Sequence, residues 1–328
     1  MANSNGGLKR VLIKVGLGTI VFLFVFGLVG GTVMFIASTG KFPPRPDRRL
    51  DALMSEQEIQ APTVVLVMRY QNVIYKKAWP EGTDPDHEYS LGHLVEPWIA
   101  EAIMMLSDRG KLDLDHALAN YLPGEDGLDP TLSVASYLDH TATLKTAGGE
   151  HSELRSEENY RLLWHLIGVV TGAPPQAFLH HWVHEALEMK ATRYLKDPVS
   201  GDDGQWVSTI SDLTTWTKTL NSNKLVHLKT YLRGHTPVTL KNGEKAPYGF
   251  GWQLVPWNGM RLEQAIAMGD GGNFSITRLP ARNFAVLVCS EMPVDALDTA
   301  QLGKDIAQIY LEREFAAPFR RKLEKPSD

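Results

Sequence analysis

The sequence predicts an α/β (α+β) domain: an antiparallel sheet flanked by helices, an inserted all-helical lobe, and one N-terminal transmembrane helix ahead of them. Three observations predict it. Short β-rich runs stand at both ends of the globular part, helical periodicity fills the stretch between them, and 23 uncharged residues, 15–37, come before all of it. Strands that arrive first and last imply one sheet completed late, with a helical region inserted into it.

The apolar stretch Val15–Ala37 is rich in Val, Leu, Phe, Ile and Gly. As a helix it would cover roughly 34 Å, enough for a hydrocarbon core of about 30 Å. A cleaved signal peptide has a shorter apolar core, so the segment reads as an uncleaved signal-anchor. Lys9, Arg10 and Lys14 precede it, and Lys41, Arg45, Arg48 and Arg49 follow it. The charge count is therefore close to balanced, and the expectation is a short inner tail with the globular part in the periplasm or otherwise outside the cytoplasm. Gly27 and Gly31 form a GxxxG pair through which two such helices could pack as a homodimer; ordinary membrane-helix glycine is the alternative.

The expected organisation is a tail (1–14), the anchor (15–37), a linker (38–58), the globular domain (59–315, its helical lobe at about 93–220) and a C-terminal tail (316–328). Pro43, Pro44 and Pro46 mark the linker as extended from Lys41 to Asp47. Thr63–Arg69 and Val73–Ala78 read as a hairpin across a turn at Tyr70–Asn72. A helix starts near Leu94, where Trp98, Ala102 and Leu106 recur at fours and Pro97 falls in the first turn, which needs no backbone donor. Further helices are expected at Tyr160–Val170, Gln176–Glu188 and Ser211–Leu220. Strands follow at Phe250–Val255, Phe274–Leu279 and Phe284–Ser290, and then an amphipathic helix over about Asp298–Glu312.

Composition narrows the function. A net charge of -5 gives no basic footprint for nucleic acid. The single cysteine, Cys289, rules out an intramolecular disulfide and a cysteine metal cage.

Several spaced motifs then coincide. They are Gly110-Lys-Leu-Asp-Leu-Asp115 with Tyr121-Leu-Pro-Gly124, Tyr137-Leu-Asp-His-Thr141, Tyr160-Arg-Leu-Leu163 with Thr171-Gly172, Met189, Ser208-Thr209 before Asp212-Leu213, and Tyr248-Gly-Phe-Gly-Trp252. In this order they resemble the serine β-lactamase and penicillin-binding-protein-like hydrolases, especially the class C and esterase branch. The resemblance covers most of residues 60–312. It implies a β-lactamase/transpeptidase-like fold with the active site between sheet and helical lobe.

That chemistry needs a Ser-x-x-Lys pair, so that an amine beside a hydroxyl lets the serine attack a carbonyl. It also uses a Tyr-x-Asn motif and a Lys- or His-x-Gly motif on a strand. This chain departs at each. The family serine lies about seventeen residues before the glycine of the Gly110 segment, which here is His93, and the lysine position is Glu96. The Tyr-x-Asn position reads Arg155-Ser-Glu157, and Asp270 stands for Lys or His, with Gly272 kept. Losing the nucleophile of a covalent hydrolase removes on the order of a million-fold in turnover. No catalytic residue is therefore expected at these positions. The expected ligand cleft comprises His93, Glu96, Asp270, Gly271, Gly272 and Trp252.

Several readings stay open for the replaced pocket. The groups could form a salt-bridged remnant, with Glu96 favoured by the helix dipole, Arg155 beside it and Asp270-Gly271 in a tight turn. His93, Glu96 and Asp270 or Glu157 could hold a divalent metal. Two carboxylates could run acid–base hydrolysis. Ser90 could replace the lost nucleophile, although it stands three residues upstream. His180, His181 and His184 lack the glutamate of a zinc-protease motif and read as surface and packing histidines. The resulting expectation is a membrane-anchored, non-catalytic family member that needs no cofactor and binds a cell-wall peptide or an envelope protein. The competing class is an active hydrolase with altered or metal-assisted chemistry.

Overall fold

The structure, a computed structural model, describes residues 45–92, 95–142, 157–195, 204–220, 222, 224–240, 243–269 and 272–315. The expected anchor with Gly27 and Gly31 lies outside the described residues, as do His93, Arg155, Asp270 and Gly271. Among the described residues no single helix is long and apolar enough to cross a membrane. The chain divides into Met1–Ala52 and Leu53–Asp328.

Part of the expected linker is helical. Helix α1 runs Pro46–Glu56, with Leu50 and Met54 buried one turn apart. The prolines that suggested extended chain end in Pro46 at the first helical position, where a missing donor and a fixed φ favour a helix start.

Seven antiparallel strands form the main sheet in the order β2-β1-β10-β9-β8-β7-β6. Their bounds are β1 Thr63–Arg69, β2 Asn72–Trp79, β6 Tyr248–Gly249, β7 Trp252–Trp257, β8 Met260–Gly269, β9 Gly272–Leu279 and β10 Phe284–Ser290. The sheet is closed late, as the strand distribution predicts: β1, from the start of the domain, pairs with β10 from its end. The β1–β2 hairpin turns through Tyr70 and Gln71, both at positive φ, which matches the twist of the flanking strands. Phe250 and Gly251 fall in the turn before β7, so that strand starts two residues later than expected.

Four strands were not expected. The ten-residue β8 was not anticipated, and neither was a second sheet of β3 (Glu88–Ser90), β5 (Gln205–Thr209) and β4 (Arg193–Leu195) in the order β3-β5-β4. β8 escapes notice because Glu263 and Gln264, both buried, interrupt its apolar pattern.

The helices are α2 Glu96–Asp108, α3 Val134–Leu138, α4 Glu157–Thr171, α5 Pro175–Leu179, α6 Ile210–Thr219, α7 Leu228–Gly234 and α8 Thr299–Phe315. The expected Gln176–Glu188 helix is α5 followed by a π turn, His180–Glu185. Helix α8 packs on β9 and β10, and Gly303 lets it do so closely, since a Cβ there would lie 2.3 Å from Thr277 Oγ1. The core centres on Trp98 of α2, whose ring meets Trp206 edge-on at 5.6 Å and Trp216 at 6.0 Å.

Candidate functional site

Glu96 opens α2, and Pro97 occupies the first turn beside it. The carboxylate, 11% exposed, lines a cavity of about 110 Å³ together with Tyr248, Gly251, Gln253, Gln264 and Ile266. The start of a helix thus meets the edge of the main sheet, and a negative charge there is favoured by the helix dipole.

Glu96 also meets the Tyr137–Thr141 segment. His140 Nε2 lies 3.5 Å from Glu96 Oε2, and the imidazole is fully buried. Its ring stands 5.1 Å from Tyr160 and 4.9 Å from Tyr248. His140 sits at φ 59, a left-handed conformation a histidine adopts only when its surroundings impose it. Those surroundings are hydrogen bonds: Tyr160 Oη donates to the Leu138 carbonyl at 2.7 Å, and Asn159 Nδ2 donates to the Ala142 carbonyl at 3.4 Å.

Two glycines allow the elements to approach. Gly251 has φ +75, and a Cβ there would stand 2.8 Å from the Glu96 carbonyl oxygen. Gly272 has φ +138, and its Cβ would fall 2.2 Å from the Ser290 carbonyl oxygen. Only glycine meets both demands.

The structure brings together part of the predicted site. Glu96 lines the cavity at the start of α2, whereas Gly272 opens β9 against the end of β10 and is not among the residues that line it. Glu157 is exposed at the first residue of α4, where it suits the dipole, and does not line the cavity. Trp252 corrects the predicted cleft. It is buried, stacked on Trp216 at 6.0 Å, with the Arg278 guanidinium 5.1 Å over its ring. Strand alternation turns it into the core, and its neighbours Gly251 and Gln253 line the cavity instead.

The other candidates are accounted for locally. The Ser90 hydroxyl donates to Gln205 Oε1 at 2.7 Å within the small sheet. A serine does stand beside a lysine elsewhere: Lys76 Nζ donates to Ser211 Oγ at 3.1 Å and to Asp86 Oδ1 at 2.8 Å. That cluster is on β2, at the opposite edge of the sheet from β6. Partial burial raises the Asp86 carboxyl pKa, but hydrogen bonds from Lys76 and Ser211 bring it below the usual range. Lys76 is thus ion-paired with Asp86, and neither it nor Ser211 is among the residues that line the cavity at Glu96. His184 is buried edge-on between Trp98 and Trp206 at 4.6 and 4.7 Å, and burial lowers its pKa to about 3. His180 and His181 both meet Glu185, at 3.3 and 2.9 Å. Among the described residues no group of three His, Asp, Glu or Cys side chains could hold a metal.

Sequence reasoning missed His140 and Gln264. His140 lay inside a quoted motif but carried no assigned role, and Gln264 lay in the unrecognised β8. Among the described residues, the six that line the cavity include no serine and no lysine. What the pair Glu96–His140 offers is a carboxylate and an imidazole, groups able to hydrogen-bond a ligand or hold a proton.

A family model described as Beta-lactamase matches residues 47–308. The chain belongs to the beta-lactamase family. Among solved structures, this beta-lactamase homologue resembles the octameric penicillin-binding protein homologue from Pyrococcus abyssi, with 17% identity over 80% of this chain and 77% of that one, TM-score 0.65. The D-amino acid amidase from Ochrobactrum anthropi SV3 complexed with L-phenylalanine aligns at 15% identity over 82% and 99%, TM-score 0.65. The penicillin binding protein from Bacillus halodurans aligns at 17% over 77% and 98%, TM-score 0.61. At these identities the likeness is one of fold. No curated protein sequence matches the chain.

Proposed function

We propose that this beta-lactamase homologue is a non-catalytic binding module, held at the cell membrane by residues 15–37 with its globular part outside the cytoplasm. One observation carries the reading: a carboxylate, Glu96, stands in the first turn of α2, 3.5 Å from His140, and counting back from Gly110 along the sequence gives it the lysine position of the Ser-x-x-Lys pair. A carboxylate beside an imidazole lacks the hydroxyl and the amine that Ser-x-x-Lys chemistry uses to form its acyl bond. His93, three residues before Glu96 in sequence, stands at the serine position by the same count and supports the same reading. The ligand is proposed to be a cell-wall peptide. The structural neighbours named as penicillin-binding proteins and as a D-amino acid amidase support that choice.

The test is covalent labelling. A fluorescent penicillin and a fluorophosphonate probe are expected to leave the purified full-length protein unlabelled. Labelling that disappears in Ser90→Ala would replace this reading with a relocated serine nucleophile.

A second reading, hydrolysis by altered groups, rests on the Glu96–His140 pair as an acid–base couple. It requires turnover of a peptide or amide substrate that is lost in Glu96→Gln. A metal-assisted version also requires stoichiometric metal that His93→Ala removes.

A further inference from the structure

A wide concavity lies at the other end of α2 from Glu96, roughly 18 Å along the helix axis. It is a groove of about 560 Å³ between the end of α2, the end of α4, and α5 with its π turn. That volume falls within the range of about 300–1,000 Å³ usual for small-molecule sites. Its wall is apolar, formed by Leu106, Val170, Phe178 and Trp182. Trp182 is 41% exposed and presents its indole to the groove.

The rim is cationic. The Arg109 guanidinium lies 3.8 Å over the Trp182 ring, and Lys111 stands two residues further on. Neither has an ion-pair partner among the described residues. Asp108, next to Arg109 in sequence, is engaged by His227 and Thr230 instead, and Asp113 by His116. A guanidinium stacked on an indole is fixed in orientation while its N–H groups stay available, so it can receive a planar anion.

We propose that this groove binds a small amphiphilic anion, a carboxylate or sulfonate joined to an apolar, aromatic body. The anionic head would meet Arg109 and Lys111, and the body would lie on Trp182, Phe178 and Leu106. The groove is separate from the beta-lactamase cleft and does not depend on the reading of that cleft.

An affinity-labelling experiment on the full-length protein tests this. Ala177, exposed in the wall of the groove, is replaced in Ala177→Cys; the only native thiol, Cys289, is buried in β10 and its pKa is pushed up to about 12 by burial, so it stays silent. The probe is dithiobis-nitrobenzoate, itself an aromatic carboxylate. The introduced thiolate attacks its disulfide, a mixed disulfide forms, and thionitrobenzoate leaves as the measured chromophore. Uncharged dithiodipyridine serves as reference. The rate is expected to saturate with dithiobis-nitrobenzoate concentration, and its advantage over dithiodipyridine to exceed that of free cysteine by about tenfold. Arg109→Gln with Lys111→Gln should remove most of that advantage while leaving the dithiodipyridine rate unchanged. Ala173→Cys, on the same wall, repeats the measurement independently of one variant. A rate that stays linear in probe concentration, or a preference that survives removal of both cations at either cysteine, overturns the proposal.

Discussion

The indole N–H of Trp216 donates to the Glu101 carboxylate at 2.5 Å in the core, where both side chains are buried. Burial drives the Glu101 pKa up to about 7, against the lowering effects of the Trp216 hydrogen bond and the Arg278 charge. The folded protein therefore binds a proton on Glu101 more tightly than the unfolded chain does. Its contribution is full below the unfolded value of about 4.5 and is lost as pH rises through about 7, on the order of 3 kcal/mol in all. Urea denaturation at about pH 5 and about pH 8 should show Glu101→Gln gaining stability over the wild type at the higher pH. His184 is present in both proteins, so its opposite dependence cancels in the difference. An unchanged difference across this range would contradict the assignment.

A second buried charge set joins β8, β9 and α7. Glu263 accepts from Arg278 at 3.1 Å, meets Arg261 at 3.2 Å, and lies 3.0 Å from His235 Nδ1. Although burial raises the Glu263 pKa, His235, Arg278 and Arg261 together bring it down to about 2. Removing one partner of such a pair leaves a charge without full compensation, which destabilises by about 3–5 kcal/mol. Arg278→Leu is expected to lose stability on that scale, and Arg278→Leu with Glu263→Leu to recover most of it. A double-mutant cycle by chemical denaturation checks the coupling; additive losses would mean the two residues act independently.

Gly272 carries a backbone demand rather than a chemical one. At φ +138 with a Cβ that would lie 2.2 Å from the Ser290 carbonyl oxygen, Gly272→Ala must push β9 and the end of β10 apart. The expected loss is more than about 2 kcal/mol, read as a fall in Tm. Gly259, also at positive φ but with open space around it, is the control, and Gly259→Ala should cost less.

Much of the fold was legible because its signals are local. The β1 and β10 strands are unbroken apolar runs buried on both faces, and the run Phe284–Ser290 was placed to the residue. Pro97 and the fours of Trp98, Ala102 and Leu106 marked α2. β8 was not legible, because the partners that make Glu263 and Gln264 tolerable inside a sheet, Arg278 and Thr277 of β9, are supplied by strand pairing. Trp252 was misplaced for a related reason. An aromatic residue on a strand faces core or cleft according to its phase, and the turn at Phe250–Gly251 set that phase.

The sequence by itself determined the family, because the order and spacing of motifs along a chain are one-dimensional properties. Tertiary structure decided what meets Glu96. His140, 44 residues away in sequence, reaches it only because a left-handed turn, the Tyr160 hydrogen bond and the close approach of Gly251 bring three elements to one point. It likewise decided that Arg109 rests on Trp182 beside an open groove, a contact between remote segments that no local pattern encodes.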